Sequence, residues 1–556
     1  MRILLLAMAM ILLCTCQQRS EEEYDLIIAG GAVLDGENHP AVNTDIGIRH
    51  GRIAKIGPMG SASAKERIDA RGLTVAPGFI DGHSHSDYSM LREPKGESMI
   101  RQGVTTQILG EGPSAGPVTP EKRGQEIEGV KVDWSTLGGY FARLEKQGIA
   151  TNIGSYVGQG QVWNYVLGDT FRTATKQDLE SMKGLIAQAM DEGALGLSSM
   201  LMLPPANLAH VPELAELASA VAPGHGIYSS HIRDEGEGVF QAVHEAIEVG
   251  RRAKVPVDII HLKIAHKNLW GRMNEVIAVI NQARSEGLTV TANVYPYTAG
   301  QNSLVSIVPP WAHEGGREKL LARLRNPVDR ARMHREVLSG LPNWYNHYLA
   351  TGGGDEGWTR MLLVSLKSER FKKFQGQRMS DLIAAERKDP VETMFDVILE
   401  EKGQTPTVFF HHSEADMRLA LKQPWTSIGS DGAAVNPDGP TGVPHHHPRY
   451  YGTFPRILGR YVREEKVLEL PEAVYKMTAL NADKFGIRDR GRLKEGNWAD
   501  ITLFNARMVI DQATFEKPKQ YPIGIPYVIV NGKIVLDRGR HTGNLPGRIV
   551  YGGGKK

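Results

Sequence analysis

The chain has 556 residues, 23% of them charged, and a formal net charge of +2. That length accommodates one large domain plus a smaller one. A charge so close to balanced offers no strong field for nucleic acid or an acidic membrane surface, and neither is expected as a substrate.

The chain opens on Met1-Arg2, followed by an apolar run over residues 3–13. That run is shorter than the roughly 20 residues needed to span a bilayer and reads as a targeting segment. The only two cysteines follow it, in Leu13-Cys14-Thr15-Cys16. This resembles a bacterial lipobox, with Cys16 as the lipidated residue. Residues 1–16 then form a lipoprotein signal peptide and 17–23 a polar tether. The expected location is the membrane surface, facing the periplasm or the cell exterior, with the lipid as the only membrane contact.

Residues 24–76 contain short alternating strands separated by turns such as Asp35-Gly36 and His50-Gly51. They read as a small β domain. The same texture returns over 485–550, in Ala499-Asp500-Ile501-Thr502-Leu503-Phe504 and in 527–535. The two ends are expected to complete one β-sandwich.

Between them, over 77–484, apolar strands alternate with helical stretches, the pattern of βα units around a parallel sheet. Eight strand ends are identified, at 79–85, 105–110, 152–157, 194–200, 226–231, 257–261, 288–295 and 426–431. Eight such units predict a (β/α)8 TIM-type barrel, whose active site lies at the C-terminal ends of its strands. The segment 300–425 is too long for one βα loop. It reads as an insertion over the barrel mouth, with helices and one extra strand at 407–410.

Polar residues gather at the same strand ends. His83 and His85 end strand one in Asp81-Gly82-His83-Ser84-His85. Residues i and i+2 of a strand share a face, so both imidazoles can reach one point. Glu111 follows strand two, His231 ends strand five, His261 ends strand six and Asp431 ends strand eight. Four histidines and carboxylates on one rim form a donor set suited to zinc or a similar divalent metal. Such a metal lowers the pKa of its water from about 15.7 to about 7. Asp431, also a candidate ligand, is placed to act as general acid/base. His411-His412 and His445-His446-His447 lie away from the strand ends and read as solvated or gating residues.

Several stretches make the chain resemble the D-aminoacylase (N-acyl-D-amino-acid deacylase) branch of the amidohydrolase superfamily. They include 77–85, 193–199, Ser230-His231-Ile232-Arg233-Asp234-Glu235-Gly236, 295–300, Pro309-Pro310-Trp311-Ala312, Ser430-Asp431-Gly432 and 447–456. The resemblance covers roughly residues 24–550. It implies a zinc-dependent enzyme that removes the acyl group from the nitrogen of a small N-acyl-D-amino acid. His231 and His261 would hold the tighter zinc, and His83 and His85 a second, weaker one. Lys263, Tyr295 and Arg449 match positions that hold the substrate's carboxylate or polarise its carbonyl.

The chain departs from the family at two places. The family's bridging cysteine is missing from Gly110-Glu111-Gly112-Pro113, where Gly112 stands at the cysteine's position. Glu111 is the candidate replacement; the alternative is a mononuclear site with Glu111 capping a turn. Leu203-Pro204-Pro205 also replaces a Tyr-Pro-Pro, and Gly158-Gln159-Gly160 a Gly-His-Gly, so the pocket differs from the family's. Two other readings stay open: a dipeptidase or cyclic-amide hydrolase on the same scaffold, and a non-catalytic ligand-binding lipoprotein.

Overall fold

The computed structural model describes residues 23–443 and 445–556. The expected signal segment, Cys16 and all but the last residue of the tether lie outside them.

The two ends of the chain meet in one nine-stranded sheet. Its central join is antiparallel: Ile501–Phe504 lies on Thr74–Pro77, with Ile501 opposite Pro77 and Phe504 opposite Thr74. Tyr24–Val33 pairs in parallel with Thr74–Pro77 on the other side. Leu26, Ile28, Ile46, Ile48, Val75, Ile501 and Ile529 form a core of their own there. Thr74–Pro77 runs through Gly78 directly into the first barrel strand, Phe79–Asp81, so the β domain anchors the strand that carries His83 and His85.

The eight expected barrel strands are all present. Strand one is Phe79–Asp81, two Val104–Leu109, four Gly196–Met200, five Ile227–His231, six Val257–Ile259, seven Val290–Val294 and eight Thr426–Ile428. Strand three is broken at Tyr156 into Asn152–Ser155, which pairs with strand two, and Val157–Gly158, which pairs with strand four. Every neighbouring pair is parallel. The ring closes where Gly82 N–H donates to Ile428 O at 3.3 Å and Ser84 bridges Gly432 in parallel. These strands are apolar because helices cover their outer face and side chains fill the inside. The helix Val239–Ala253 shows the fit: it buries Val239, Ala242, Val243, Ala246, Ile247 and Gly250 at helical spacing. A Cβ on Gly250 would lie 2.0 Å from Val257 Cγ2, so only glycine lets this helix lie so close to strand six.

The insertion leaves after strand seven. It contains the expected extra strand, Pro406–Phe409, in a three-stranded antiparallel sheet with Gly300–Ser303 and Met361–Leu363. The sequence reading missed those two because Gly-Gln-Asn-Ser and Met-Leu-Leu are too short to show alternation. Leu304, Trp358, Phe371, Phe395 and Phe409 build a separate core for the insertion. The helix Glu414–Leu421 already packs on the barrel, so the insertion ends before residue 414. Past the sheet, residues 546–550 run beneath the barrel, bridging Ile149 and Ile153, and Val550 packs with Ile80, Ile108, Leu195 and Ile227.

Inside the barrel, Lys484 Nζ pairs with Asp258 Oδ1 at 2.8 Å, both side chains fully buried. Removing one member of such a pair strands the other charge and costs about 3–5 kcal/mol. Lys484→Met should therefore lower the urea midpoint sharply. Lys484→Met combined with Asp258→Leu should recover most of that loss.

Candidate metal centre and substrate cavity

The six residues expected to ligate metal converge at the C-terminal rim of the barrel as two donor sets. His83, His85, Glu111 and Asp431 form one; Glu111, His231 and His261 form the other. In the first, Glu111 Oε2 lies 2.7 Å from His83 Nε2 and 3.1 Å from His85 Nε2, and Asp431 Oδ1 lies 3.0 Å from His85 Nε2. In the second, Glu111 Oε1 lies 2.7 Å from His231 Nδ1, which lies 3.1 Å from His261 Nε2. Donors about 2.0–2.2 Å from one tetrahedral ion stand roughly 3.3 Å apart. Both sets therefore match the spacing and the imidazole-carboxylate chemistry of a divalent metal site, and Glu111 offers one oxygen to each.

Local backbone geometry aims these groups. Gly110 and Gly112 have φ of +90° and +65°, so the chain turns sharply on either side of Glu111. A Cβ at position 112 would stand 2.7 Å from Met200 Cβ, so the position of the family's cysteine has no room for a side chain here. His261 (φ +38°) and Asp431 (φ +52°) both adopt the left-handed region that non-glycine residues rarely occupy. Each is held there by its amide: His261 N–H donates to Asn293 Oδ1 at 3.0 Å and Asp431 N–H to His83 O at 2.9 Å. Strain concentrated at functional positions is the usual pattern.

The electrostatics favour a bound cation. Burial alone would raise the Glu111 carboxyl, but His83 and hydrogen bonds from His231, His83 and His85 outweigh it and hold it well below the ordinary range. Burial works the same way on Asp431 and is outweighed by Arg449, His83 and His85. Burial, Lys263 and the neighbouring His231 push His261 down to about 4, so its ring is neutral and keeps a lone pair.

The three expected substrate residues line one cavity together with His231, His261 and Asp431. Arg449 Nη1 contacts Asp431 Oδ2 at 2.7 Å, and the guanidinium lies 4.9 Å over the Tyr295 ring. Lys263 Nζ pairs with Glu235 and stands 2.8 Å from His261 Nδ1.

Sequence reasoning did not assign a role to Glu235, though it lies in the quoted stretch after His231. Its Oε1 is 3.1 Å from His261 Nδ1 and 3.7 Å from His231 Nε2. Glu235 and Lys263 thus both meet the His261 ring at Nδ1, the side away from Nε2, and fix its orientation. The only sequence signal was a carboxylate four residues after a rim histidine. The reading of His411 and His412 as solvated is corrected: both are buried, as is His447. The strand Pro406–Phe409 carries His411 into the wall between insertion and barrel, where it lines the cavity. Leu203, in place of the family's tyrosine, packs against Met202, Ala265 and Tyr345.

A family model described as the amidohydrolase family matches residues 66–536. The chain is 33% identical over 541 residues to a D-aminoacylase of Alcaligenes xylosoxydans xylosoxydans, covering 96% of this chain and 99% of that one. Among solved structures it is similar to an N-acyl-D-glutamate deacylase from Bordetella bronchiseptica, complexed with zinc and a phosphonate mimic of the tetrahedral intermediate. That similarity has a TM-score of 0.80 at 28% identity, covering 95% of this chain and 100% of that one. A D-aminoacylase with a binuclear metal centre matches with a TM-score of 0.78 at 32% identity, over the same shares.

Because Glu111 belongs to both donor sets, Glu111→Ala should lower bound zinc at both, and His85→Ala at one only. Metal analysis of the purified proteins reads the difference. Wild-type zinc content in Glu111→Ala would rule out the bridge.

Proposed function

The chain belongs to the amidohydrolase family, and from that membership and the cavity's geometry we propose that it deacylates N-acyl-D-amino acids, releasing a D-amino acid and a carboxylate. One observation carries this reading. Arg449, Lys263 and Tyr295, two cations and a hydroxyl, line the same cavity as the metal-donor residues His231, His261 and Asp431. A site for a substrate carboxylate thus adjoins a site for hydrolysis. The D-aminoacylase and N-acyl-D-glutamate deacylase relatives support the choice of substrate.

His83, His85, Glu111, His231, His261 and Asp431 would hold the zinc, which would supply Lewis acidity toward water and the amide carbonyl. The remaining work falls to side chains. Arg449 presents a planar fork to the substrate's carboxylate. Tyr295 donates its hydroxyl proton toward the oxygen that gains charge as the carbonyl is attacked. Burial holds that phenol well above its ordinary value despite Arg449 beside it, so it remains a donor. Asp431 takes the proton of the attacking water and returns it to the leaving nitrogen. Its ion pair with Arg449 keeps the carboxylate ionised.

The reading extends to location. The apolar run at residues 3–13 and Leu13-Cys14-Thr15-Cys16 support export and lipid attachment at Cys16, with the barrel tethered at the membrane surface.

Purified protein should hydrolyse N-acetyl-D-methionine and leave N-acetyl-L-methionine largely intact. A chelator should abolish turnover and added zinc restore it. Asp431→Asn should lower kcat by about 10²–10⁴; retention of the wild-type rate would remove Asp431 from the proton transfers. Cys16→Ala should move the protein from the membrane fraction to the soluble one.

A further inference from the structure

The insertion supplies one wall of the cavity, and the hydrogen bonds behind that wall reveal its polarity. The Tyr345 hydroxyl lies 3.0 Å from Ala265 O and 3.2 Å from His411 Nδ1. A carbonyl only accepts, so the single hydroxyl proton goes to Ala265. His411 therefore donates from Nδ1 to the tyrosine oxygen, and its Nε2 keeps a lone pair. That nitrogen would be 3.3 Å from a Cβ on Gly300; because Gly300 has none, the space between His411 Nε2, the Tyr295 hydroxyl and His412 Nε2 stays open. Burial, His412 and His347 hold the His411 ring well below its ordinary value, so it is neutral.

One residue along, Gln301 Oε1 accepts the backbone N–H of His447 at 3.0 Å. This contact identifies the oxygen of the side-chain amide and leaves Nε2 as a donor. His411 and Gln301 line the same cavity. The wall, which also includes Asn302 and His347, thus offers an acceptor at His411 and a donor at Gln301, both uncharged.

Charge points the same way. Among the described residues lining this cavity, the lysine and arginine cations are Lys263 and Arg449, and each already faces a carboxylate, Glu235 and Asp431. One substrate carboxylate can engage them. A second would find no free cation and would meet the lone pair of His411.

We propose that this wall recognises a neutral primary carboxamide on the substrate, its NH₂ donating to His411 Nε2 and its oxygen accepting from Gln301 Nε2. The proposal rests on the deacylase reading and narrows it. The carboxamide can belong to the amino-acid side chain, as in an N-acyl-D-glutamine, or to the far end of the acyl group.

The zinc-loaded wild type should be assayed on N-acetyl-D-glutamine, N-succinamoyl-D-alanine, N-acetyl-D-methionine and N-acetyl-D-glutamate. One of the two carboxamides should exceed methionine in kcat/KM by at least about 10-fold and glutamate by more, since a site built to pair a polar group rejects analogues lacking it. Which carboxamide leads tells side chain from acyl chain. In His411→Phe and in Gln301→Leu the advantage over methionine should fall toward one; either variant suffices if the other does not fold. Methionine or glutamate matching both carboxamides, or an advantage that survives in both variants, overturns the proposal. Hydrolysis of none of the four would instead overturn the deacylase reading itself.

Discussion

Closure of the barrel between its first and eighth strands is the constraint on which the site depends. The seam is short and polar. His85 N–H donates to Gly432 O at 2.7 Å, and Asp431 N–H to His83 O at 2.9 Å. Asp81 accepts both the amide and the hydroxyl of Ser430. Asn481 ties Ile80 O to Ile428 O from beneath. The bonds from residues 81–85 to residues 430–432 join positions nearly 350 apart and hold the His-x-His pair against Asp431. A Cβ on Gly429 would stand 2.8 Å from His83 Cβ, so the strands approach this closely only because glycine lines the seam. The same hydrogen bonds that close the cylinder thus place three of the candidate ligands.

A second chain of contacts supports the other half of the centre from inside the barrel. Lys484 pairs with Asp258, Asp258 accepts from Asn293 Nδ2 at 3.0 Å, and Asn293 Oδ1 receives the N–H of His261. Charge buried below the rim is thereby converted into a fixed backbone conformation at a histidine whose φ is +38°. Glu235 acts on the same ring from its other side. In each case a neighbouring side chain fixes where the candidate ligand His261 points.

The insertion has a different role. It packs on its own core and reaches the cavity through short segments: Gly300–Ser303, His347 and the residues around His411. The barrel therefore carries the candidate metal ligands, while the insertion supplies one wall of the cavity beside them. Two of the three insertion strands, Gly300–Ser303 and Met361–Leu363, were not legible in the sequence, and neither was the burial of His411 and His412. Histidine has no burial preference strong enough to reveal its surroundings, and a four-residue strand carries too little periodicity.

Read alone, the sequence determined the alternation of strands and helices, the count of eight strand ends, the pairing of the chain's two ends and the polar residues on the rim. All of these follow from short-range rules: strand periodicity, apolar runs bounded by turns, and the shared face of residues two apart. Only the tertiary structure decided that one Glu111 oxygen faces each donor set, that Glu235 backs His261, and that Gln301 and His411 stand as a donor and an acceptor in one wall. Those facts depend on contacts between segments far apart in the chain, and no local pattern encodes which atoms of two distant side chains will meet.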